Sequence, residues 1–379
     1  MVSRSLFALS LMLGATACDG LPEAAPLRID AGKPDTTQSL CGDTATNALN
    51  CGVCDHSCLG GMCSGGTCQP ILLAEGPWFP NLIVVKDGFL YWTATKGAAS
   101  VMRMPTSGGA PEDIALGSPG WGLAVDSTNV YYTSGADGGA VQTTPRGGGV
   151  PKTLTFDIKQ PMELALQDNA LYWTQRGDNS FISDASLMTM PIGGGTPVKL
   201  LGSPCCRSLT GLAVDPTGAY VTWFGSVGDS TLSRVSLDGG AETVFAGTQD
   251  NPQPLIADRS VLFWGEVGTK FDHGVLHSAW TDGTHVETML SSKDPIIRIT
   301  ADEYNVYWTW WPGHAQGANG FNGGVRGLSR NGGSKARELA IDQTTPWGIA
   351  VDDVAIYWTT WGVTNATNQK GAIMKLAKP

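Results

Sequence analysis

A pattern of four residues recurs seven times in this chain: an apolar residue, two mostly aromatic residues, and a Thr or Gly. The copies occupy residues 90–93, 130–133, 171–174, 219–222, 262–265, 306–309 and 356–359. Successive copies are separated by between 40 residues, from Tyr91 to Tyr131, and 50 residues, from Tyr307 to Tyr357. A period of roughly 40–50 residues built from short β-type runs is typical of β-propeller blades. The repeat therefore predicts an all-β protein with seven blades.

The residues around each copy complete a blade of four strands. A short apolar run precedes the copy, and a third run leads into a glycine turn such as residues 147–149 before a fourth run. Four antiparallel strands joined by hairpins form one blade. The seventh repeat ends after residues 373–376 without a fourth strand, whereas residues 71–76 resemble one. We therefore predict a seven-bladed β-propeller over residues 70–379, closed by its N-terminal strand.

The repeat motifs resemble those of known propellers. Ile/Leu-Ala-Val-Asp, Tyr-Trp-Thr and Asp-Gly are similar to the repeats of YWTD (LDL-receptor-type) and NHL/TolB-like propellers. The resemblance covers residues 71–379, although most blades lack the Asp that follows Tyr-Trp-Thr in the family motif. It implies the fold and no single function, because such propellers serve as binding proteins and as enzymes.

The N-terminus has the features of an export signal. Residues 1–17 contain Arg4, an apolar run over 6–14 and a small-residue triplet over 15–17, which together predict a signal peptide. The triplet followed by Cys18 resembles the lipobox of bacterial lipoproteins, which implies that Cys18 is lipidated. The alternative is an ordinary secretory signal with an incidental cysteine. Residues 18–40 then form the lipid-anchor cysteine and a flexible tether, and we expect an exported protein of the cell envelope, at the periplasmic or surface side of the outer membrane.

Residues 41–69 form a short cysteine-rich segment before the propeller. Its cysteines are Cys41, Cys51, Cys54, Cys58, Cys63 and Cys68. A zinc site that includes His56 is conceivable, but an oxidising compartment favours three disulfides, with the pairing left open. The segment resembles short modules of Gram-negative surface lipoproteins, which implies a rigid spacer or docking knob. If Cys18 carries lipid, Cys205 and Cys206 are the remaining cysteines and would form a vicinal disulfide.

The charge of the chain limits its partners. The formal net charge is -10, and the sequence contains no cluster of Lys and Arg. Nucleic acid and anionic membrane surfaces are therefore not expected as partners, and contact with a membrane is expected only through the N-terminal lipid. We expect a monomer, with no cofactor.

Residues that repeat in most blades predict scaffold roles. An Asp ends the first strand at Asp126, Asp215, Asp258, Asp302 and Asp352. These carboxylates could hold calcium, but repetition favours the alternative that each Asp closes its hairpin by bonding to backbone N–H groups. The Trp residues of the second strands are expected to pack between blades.

Residues that break the repeat are the candidates for a site. Loops of one face carry aromatic and polar side chains, and the repeat-equivalent position at the channel mouth carries Glu163 and Arg298, which are expected to pair or to orient one polar ligand. One carboxylate and one cation do not make a metal site. The candidate ligand-binding residues are Trp78, Trp121, Glu163, Asp272, His273, Arg298, Trp311, His314, Trp347 and Trp361. The alternative is that these loops pack on one another.

Three classes of function follow from this arrangement. The first is non-covalent binding of a glycan, peptide or protein at the aromatic rim, because flat rings among polar side chains suit such ligands. The second is a lyase or hydrolase at the same face. A resemblance to streptogramin-lyase propellers would imply His314 or His273 as its base, but no catalytic motif is present and no catalytic residue is assigned. The third is a scaffold subunit of an envelope complex.

Overall fold

The computed structural model describes residues 41–76, 79–94, 100–117, 119–135, 138–176, 184–203, 207–225, 229–312, 322–333, 335–362 and 370–379. Residues Cys41–Pro379 form one compact unit. Within the described ranges all regular structure is β, and no helix with the length and apolarity of a membrane span is present.

Seven antiparallel sheets of four strands each are found in the described part of the chain, as the repeat predicts. The cysteine-rich segment contains β1 (Cys63–Ser64) and β2 (Thr67–Cys68), and β3 (Ile71–Gly76) follows it. Blades 1 to 3 contain β4 (Pro80–Lys86), β5 (Phe89–Ala94), β6 (Ser100–Pro105), β7 (Glu112–Leu116); β8 (Pro119–Val125), β9 (Asn129–Ser134), β10 (Ala140–Pro145), β11 (Lys152–Phe156); β12 (Pro161–Gln167), β13 (Ala170–Gln175), β14 (Ser186–Pro191) and β15 (Val198–Gly202). Blades 4 and 5 contain β16 (Ser208–Asp215), β17 (Gly218–Phe224), β18 (Thr231–Val235), β19 (Thr243–Ala246); β20 (Pro252–Asp258), β21 (Val261–Glu266), β22 (Gly274–Trp280) and β23 (Glu287–Ser292). Blades 6 and 7 contain β24 (Ile296–Ala301), β25 (Asn305–Trp310), β26 (Asn322–Ser329), β27 (Arg337–Thr344); β28 (Pro346–Val351), β29 (Ala355–Thr360) and β30 (Gly371–Ala377).

The two ends of the propeller meet in blade 7. Strand β3 pairs antiparallel with β30 and supplies the fourth strand of the last sheet, with Gly76 opposite Gly371. The prediction of closure by the N-terminal strand is confirmed. Closure pairs an edge of β30 that would otherwise be open.

The Thr of the repeated motif links neighbouring blades. Thr359 Oγ1 in blade 7 donates to the carbonyl of Asn81 in blade 1 over 2.9 Å and accepts the N–H of Gly348 over 2.8 Å. The corresponding Thr side chains of blades 2, 4 and 6 donate to the first-strand carbonyls of blades 3, 5 and 7 as the pairs Thr133–Met162, Thr222–Gln253 and Thr309–Trp347. These bonds are a structural reason for the Thr in the repeat, because they join blades that share no sheet.

The aromatic residues of the motif fill the spaces between blades, as expected. The side chains of Trp92, Trp173, Trp264, Trp308 and Trp358 are at most 1% exposed. Trp358 of blade 7, for example, belongs to the same buried cluster as Tyr307 and Val325 of blade 6. Burial of such large apolar side chains is the main source of stability that the repeat supplies.

The recurrent Asp closes a hairpin and also holds the Tyr of the motif. Asp302 accepts the backbone N–H groups of Tyr304 and Asn305 at 2.8 Å each and the hydroxyl of Tyr307 at 3.0 Å. Asp126, Asp215 and Asp352 make the equivalent bonds. Burial tends to raise the pKa of Asp302, but hydrogen bonds, first that of Lys378, outweigh burial and lower it. Hairpin closure, rather than a calcium ring, accounts for these four carboxylates. The fifth, Asp258, instead pairs with Arg330.

The cysteine-rich segment contains three disulfides, as predicted. They join Cys41 to Cys54, Cys51 to Cys63 and Cys58 to Cys68, so the zinc alternative does not apply. The segment is docked on the propeller rather than held apart from it as a spacer. His56 Nε2 lies 2.7 Å from the carbonyl oxygen of Lys378, and the buried Cys58 and Cys68 belong to the same cluster as Trp358. Cys18, Cys205 and Cys206 lie outside the described residues.

Candidate functional site

A bulge near the start of the first strand positions the site residues. In blade 3 the pairing of β12 with β13 shifts register between Pro161 and Leu164, which leaves Met162 and Glu163 outside the regular ladder. A register shift occurs near the start of the first strand in all seven blades. Bulges bend a strand and re-aim its side chains, and they are frequent beside functional sites. The bulges leave one residue outside the ladder in blades 4 and 6, two in blades 1, 3, 5 and 7, and three in blade 2.

One cavity of about 880 Å³ lies at this end of the channel. Its lining includes the residue that immediately precedes the channel-mouth position in five blades: Trp121, Met162, Thr210, Gln253 and Trp347. The carbonyls of Met162, Gln253 and Trp347 are held by the Thr of the preceding blade, so the backbone below these side chains is fixed. A rigid backbone that presents varied side chains to a concave space is typical of a ligand site.

Glu163 and Arg298 meet at the boundary between this cavity and a narrower one of about 130 Å³ inside the channel, since both line both cavities. Arg298 Nη2 lies 3.1 Å from Glu163 Oε1, so the ion pair expected from the sequence is present. The guanidinium carbon also lies 5.7 Å from the ring centre of Trp347. Burial raises the pKa of Glu163, and the positive charge of Arg298 counteracts only part of that rise.

The predicted aromatic rim is a stacked cluster. Trp347 stacks on Trp361 with 4.3 Å between ring centres and on Trp311 with 6.4 Å, and Trp121 lies 5.9 Å from Trp347. Trp311 is only 9% exposed, so the expectation of an exposed ring at this position is wrong. The reason is that Phe271 of blade 5 stacks against it, as the alternative of mutually packed loops proposed. We call Phe271, Trp311, Trp347, Trp361 and Trp121 the aromatic cluster.

The other predicted residues are not brought into the cavity. His273 contacts two carboxylates, with Nδ1 3.0 Å from Asp272 and Nε2 3.4 Å from Asp250, and none of the three lines either cavity. Trp78 and His314 lie outside the described residues. Of the ten candidate residues, the structure therefore places Trp121, Glu163, Arg298 and Trp347 at the cavity and Trp311 and Trp361 behind Trp347.

Several lining residues are not singled out by sequence reasoning. They include Asp157, Lys159, Arg176, Thr210 and Gln253. Thr210 and Gln253 are ordinary residues for a strand, and only their position could have revealed them, because each immediately precedes the channel-mouth residue of its blade. Asp157 and Lys159 lie in the loop that leads into blade 3.

Comparison with known protein families and with curated proteins gives no match for this sequence. The fold, in contrast, is similar to many solved structures. A structure of YCF48 bound to D1 peptide is 10% identical, with a TM-score of 0.56 over 82% of this chain and 97% of that one. The β-propeller domain of the Trilobed protease from Pyrococcus furiosus is 10% identical, with a TM-score of 0.55 over 79% of this chain and 95% of that one. A chain of a nidogen/laminin complex is 18% identical, with a TM-score of 0.47 over 62% of this chain and 85% of that one. Identities this low show the fold alone: the chain is a seven-bladed β-propeller.

Proposed function

We propose that this protein binds a peptide non-covalently in the cavity at the end of its central channel. The observation that carries the proposal is the cavity of about 880 Å³, lined by charged, amide and hydroxyl side chains as well as by Trp121 and Trp347. A space of this size lies in the upper part of the range for ligand pockets and accommodates a few residues of an extended peptide. The glycines of the lining, among them Gly138 and Gly139, leave bare backbone beside it.

A peptide fits the lining better than a glycan does. Sugar rings are held mainly by stacking on open aromatic faces, and the ring of Trp347 already stacks on Trp361 and Trp311. Gln253 donates one N–H to Asn251 Oδ1 at 3.1 Å, and its amide has a second N–H and a carbonyl oxygen that match a peptide backbone, as does the amide of Gln160. Among the structural neighbours, YCF48 was solved bound to D1 peptide.

A library of random linear peptides displayed on phage tests this proposal. We expect the purified protein to enrich a common set of peptides. Replacement of Gln253 by Ala should weaken their binding about fivefold, the value of one hydrogen bond of about 1 kcal/mol. The measurement is calorimetric titration of the enriched peptides into each variant. Gln142→Ala is the matched control, because Gln142 lies on the outer part of blade 2 and does not line the cavity.

Three other results would redirect the proposal. Enrichment that is equal for the protein and for Gln253→Ala would place binding elsewhere. Binding of a glycan from a glycan panel, with no binding by any peptide, would show that the ligand is a sugar and not a peptide. Failure of both would favour the scaffold function instead.

We further propose that the protein is exported and anchored through a lipid on Cys18, which lies outside the described residues. The three disulfides support the export part of this proposal, because disulfides persist in oxidising compartments. The lipid part rests on the small triplet and Cys18 at the end of the apolar run.

Replacement of Cys18 by Ser should move the protein from the membrane fraction to the soluble fraction of the envelope and abolish labelling by radioactive palmitate. Loss of a lipid anchor removes the membrane affinity that its acyl chains supply. Oxidised thiols in the soluble variant serve as the control that export still occurs. A variant that stays with the membrane would show that the anchor is not a lipid on Cys18.

A further inference from the structure

Cations line the cavity although the whole protein is acidic. The formal net charge of the chain is -10. Three cations, Lys159, Arg176 and Arg298, and two anions, Asp157 and Glu163, line the cavity. Lys159 pairs with Asp184 at 2.9 Å, and Arg298 pairs with Glu163 at 3.1 Å. A concave surface concentrates the field of the charges that line it, so Arg176, which has no ion-pair partner among the described residues, attracts an anionic group of a ligand.

Two of these cations have N–H donors without a hydrogen-bond partner among the described residues. The Nε–H of Arg298 is buried and has no hydrogen-bond partner among the described residues, and its ion pair with Glu163 is made through Nη2 alone. Arg176 is exposed at the cavity, and the described part of the chain contains no partner for its guanidinium. A guanidinium offers five N–H donors in a planar fork that matches a carboxylate. Donors of Arg298 and Arg176 therefore remain for a ligand.

Glu163 is the group that an acidic ligand would have to displace. It lies 3.1 Å from Arg298 in a desolvated position. Burial raises its pKa, which means that the site holds this negative charge at a cost. A carboxylate from a ligand that brings its own hydrogen bonds can therefore compete with Glu163 for Arg298.

We propose that the cavity selects peptides that carry a carboxylate, from an Asp or Glu side chain or a free C-terminus, and that Arg298 and Arg176 bind this group. This inference rests on the proposed peptide-binding function and deepens it. An acidic glycan would present the same carboxylate. However, the rings of the aromatic cluster stack on one another and leave less open aromatic surface than a sugar ring normally uses. The peptide is therefore the favoured class.

The phage-displayed library described above also tests this inference, by the composition of the enriched peptides. We expect enrichment of Asp and Glu. In synthetic versions with these residues replaced by Asn and Gln and with the C-terminus amidated, binding should weaken at least about tenfold, as expected for the loss of charge-assisted hydrogen bonds. The preference should fade in about 1 M salt, where the Debye length is about 3 Å.

Three variants separate recognition from structural damage because their effects have different signs. Arg176→Gln should weaken binding of the acidic peptides about fivefold and leave the affinity for the neutral versions unchanged. Because Arg176 is exposed, we expect its replacement to leave the fold intact. Glu163→Gln should strengthen binding of the acidic peptides, because it removes the competing carboxylate. Arg298→Gln should weaken it. A purely structural role of the pair would weaken binding in both Glu163→Gln and Arg298→Gln.

The matched control is Lys335→Gln, which removes an exposed cation away from the cavity and should change nothing. Enriched peptides without acidic residues, whose binding still depends on Gln253, would overturn this inference and leave the peptide-binding function intact. Acidic peptides whose affinity is the same in all three variants would also overturn it. An acidic sugar such as oligogalacturonate that binds in place of every peptide would overturn the peptide class. No binding by any probe would overturn both proposals.

Discussion

Removal of the Cys58–Cys68 disulfide is expected to destabilise the whole propeller, and not only the short segment that contains it. Loss of a native disulfide from a small module costs about 2–5 kcal/mol of unfolding free energy. Cys58 and Cys68 are at most 4% exposed and share a buried cluster with Trp358 of blade 7. The double variant with Ala at both positions should therefore unfold at a clearly lower urea concentration, with the tryptophan fluorescence of the blades as the signal.

The Cys41–Cys54 disulfide provides a matched control. It closes a loop of 13 residues, compared with 10 for Cys58–Cys68, so chain entropy alone makes it slightly more stabilising. That difference is only about 0.2 kcal/mol. Packing instead predicts that loss of Cys41–Cys54 destabilises the protein less than loss of Cys58–Cys68. Cys54 is exposed, and neither Cys41 nor Cys54 belongs to the buried cluster. Equal losses in the two double variants would contradict the view that the segment is part of the propeller core.

Replacement of Thr359 by Val should weaken the junction between blades 7 and 1. Val has almost the same shape but no hydroxyl, so the buried N–H of Gly348 loses its acceptor and the carbonyl of Asn81 loses a donor. Each buried polar group left without a partner costs about 1–3 kcal/mol. We expect a loss of this size in the free energy of unfolding, measured by urea denaturation, and faster proteolysis of β3 and β4.

Thr359→Ser separates the hydroxyl from the rest of the side chain. Ser keeps both hydrogen bonds and removes one buried methyl group, which costs about 1 kcal/mol. The loss should therefore be smaller for Ser than for Val. A Ser variant that is as unstable as the Val variant would assign the role of Thr359 to packing instead of to the bond between blades.

The fold could be predicted from the sequence because its information is repeated. One strand pattern with Tyr and Trp at fixed places is ambiguous, but seven copies fix the number of blades and the missing fourth strand of the last one. The cysteines predicted three disulfides without their pairing, because pairing depends on how a loop-rich segment folds. Docking of that segment was also beyond prediction, since it involves the contact of His56 with Lys378, 322 positions away.

The site residues could be predicted from the sequence only where they occupy equivalent positions of the repeat. Glu163 and Arg298 occupy equivalent positions in blades 3 and 6, and that equivalence was sufficient to bring them together. Trp121 and Trp347 line the cavity, but a sequence does not show whether a ring faces solvent or another ring. Trp311, for example, is buried because it packs against the rings of Phe271 and Trp347. Gln253 has no distinctive chemistry, so its role depends on a bulge that single-sequence patterns do not reveal.

The bond from Thr133, Thr222, Thr309 or Thr359 to a backbone carbonyl of the next blade has a consequence for how such a protein can change over evolution. The contact that joins blades uses the main chain of Met162, Gln253 and Trp347, while their side chains line the cavity. A mutation at any of these positions alters the ligand surface without removing the bond that joins the blades. Variation in specificity is thereby uncoupled from assembly of the ring, and a new ligand could be acquired through single substitutions that the scaffold tolerates.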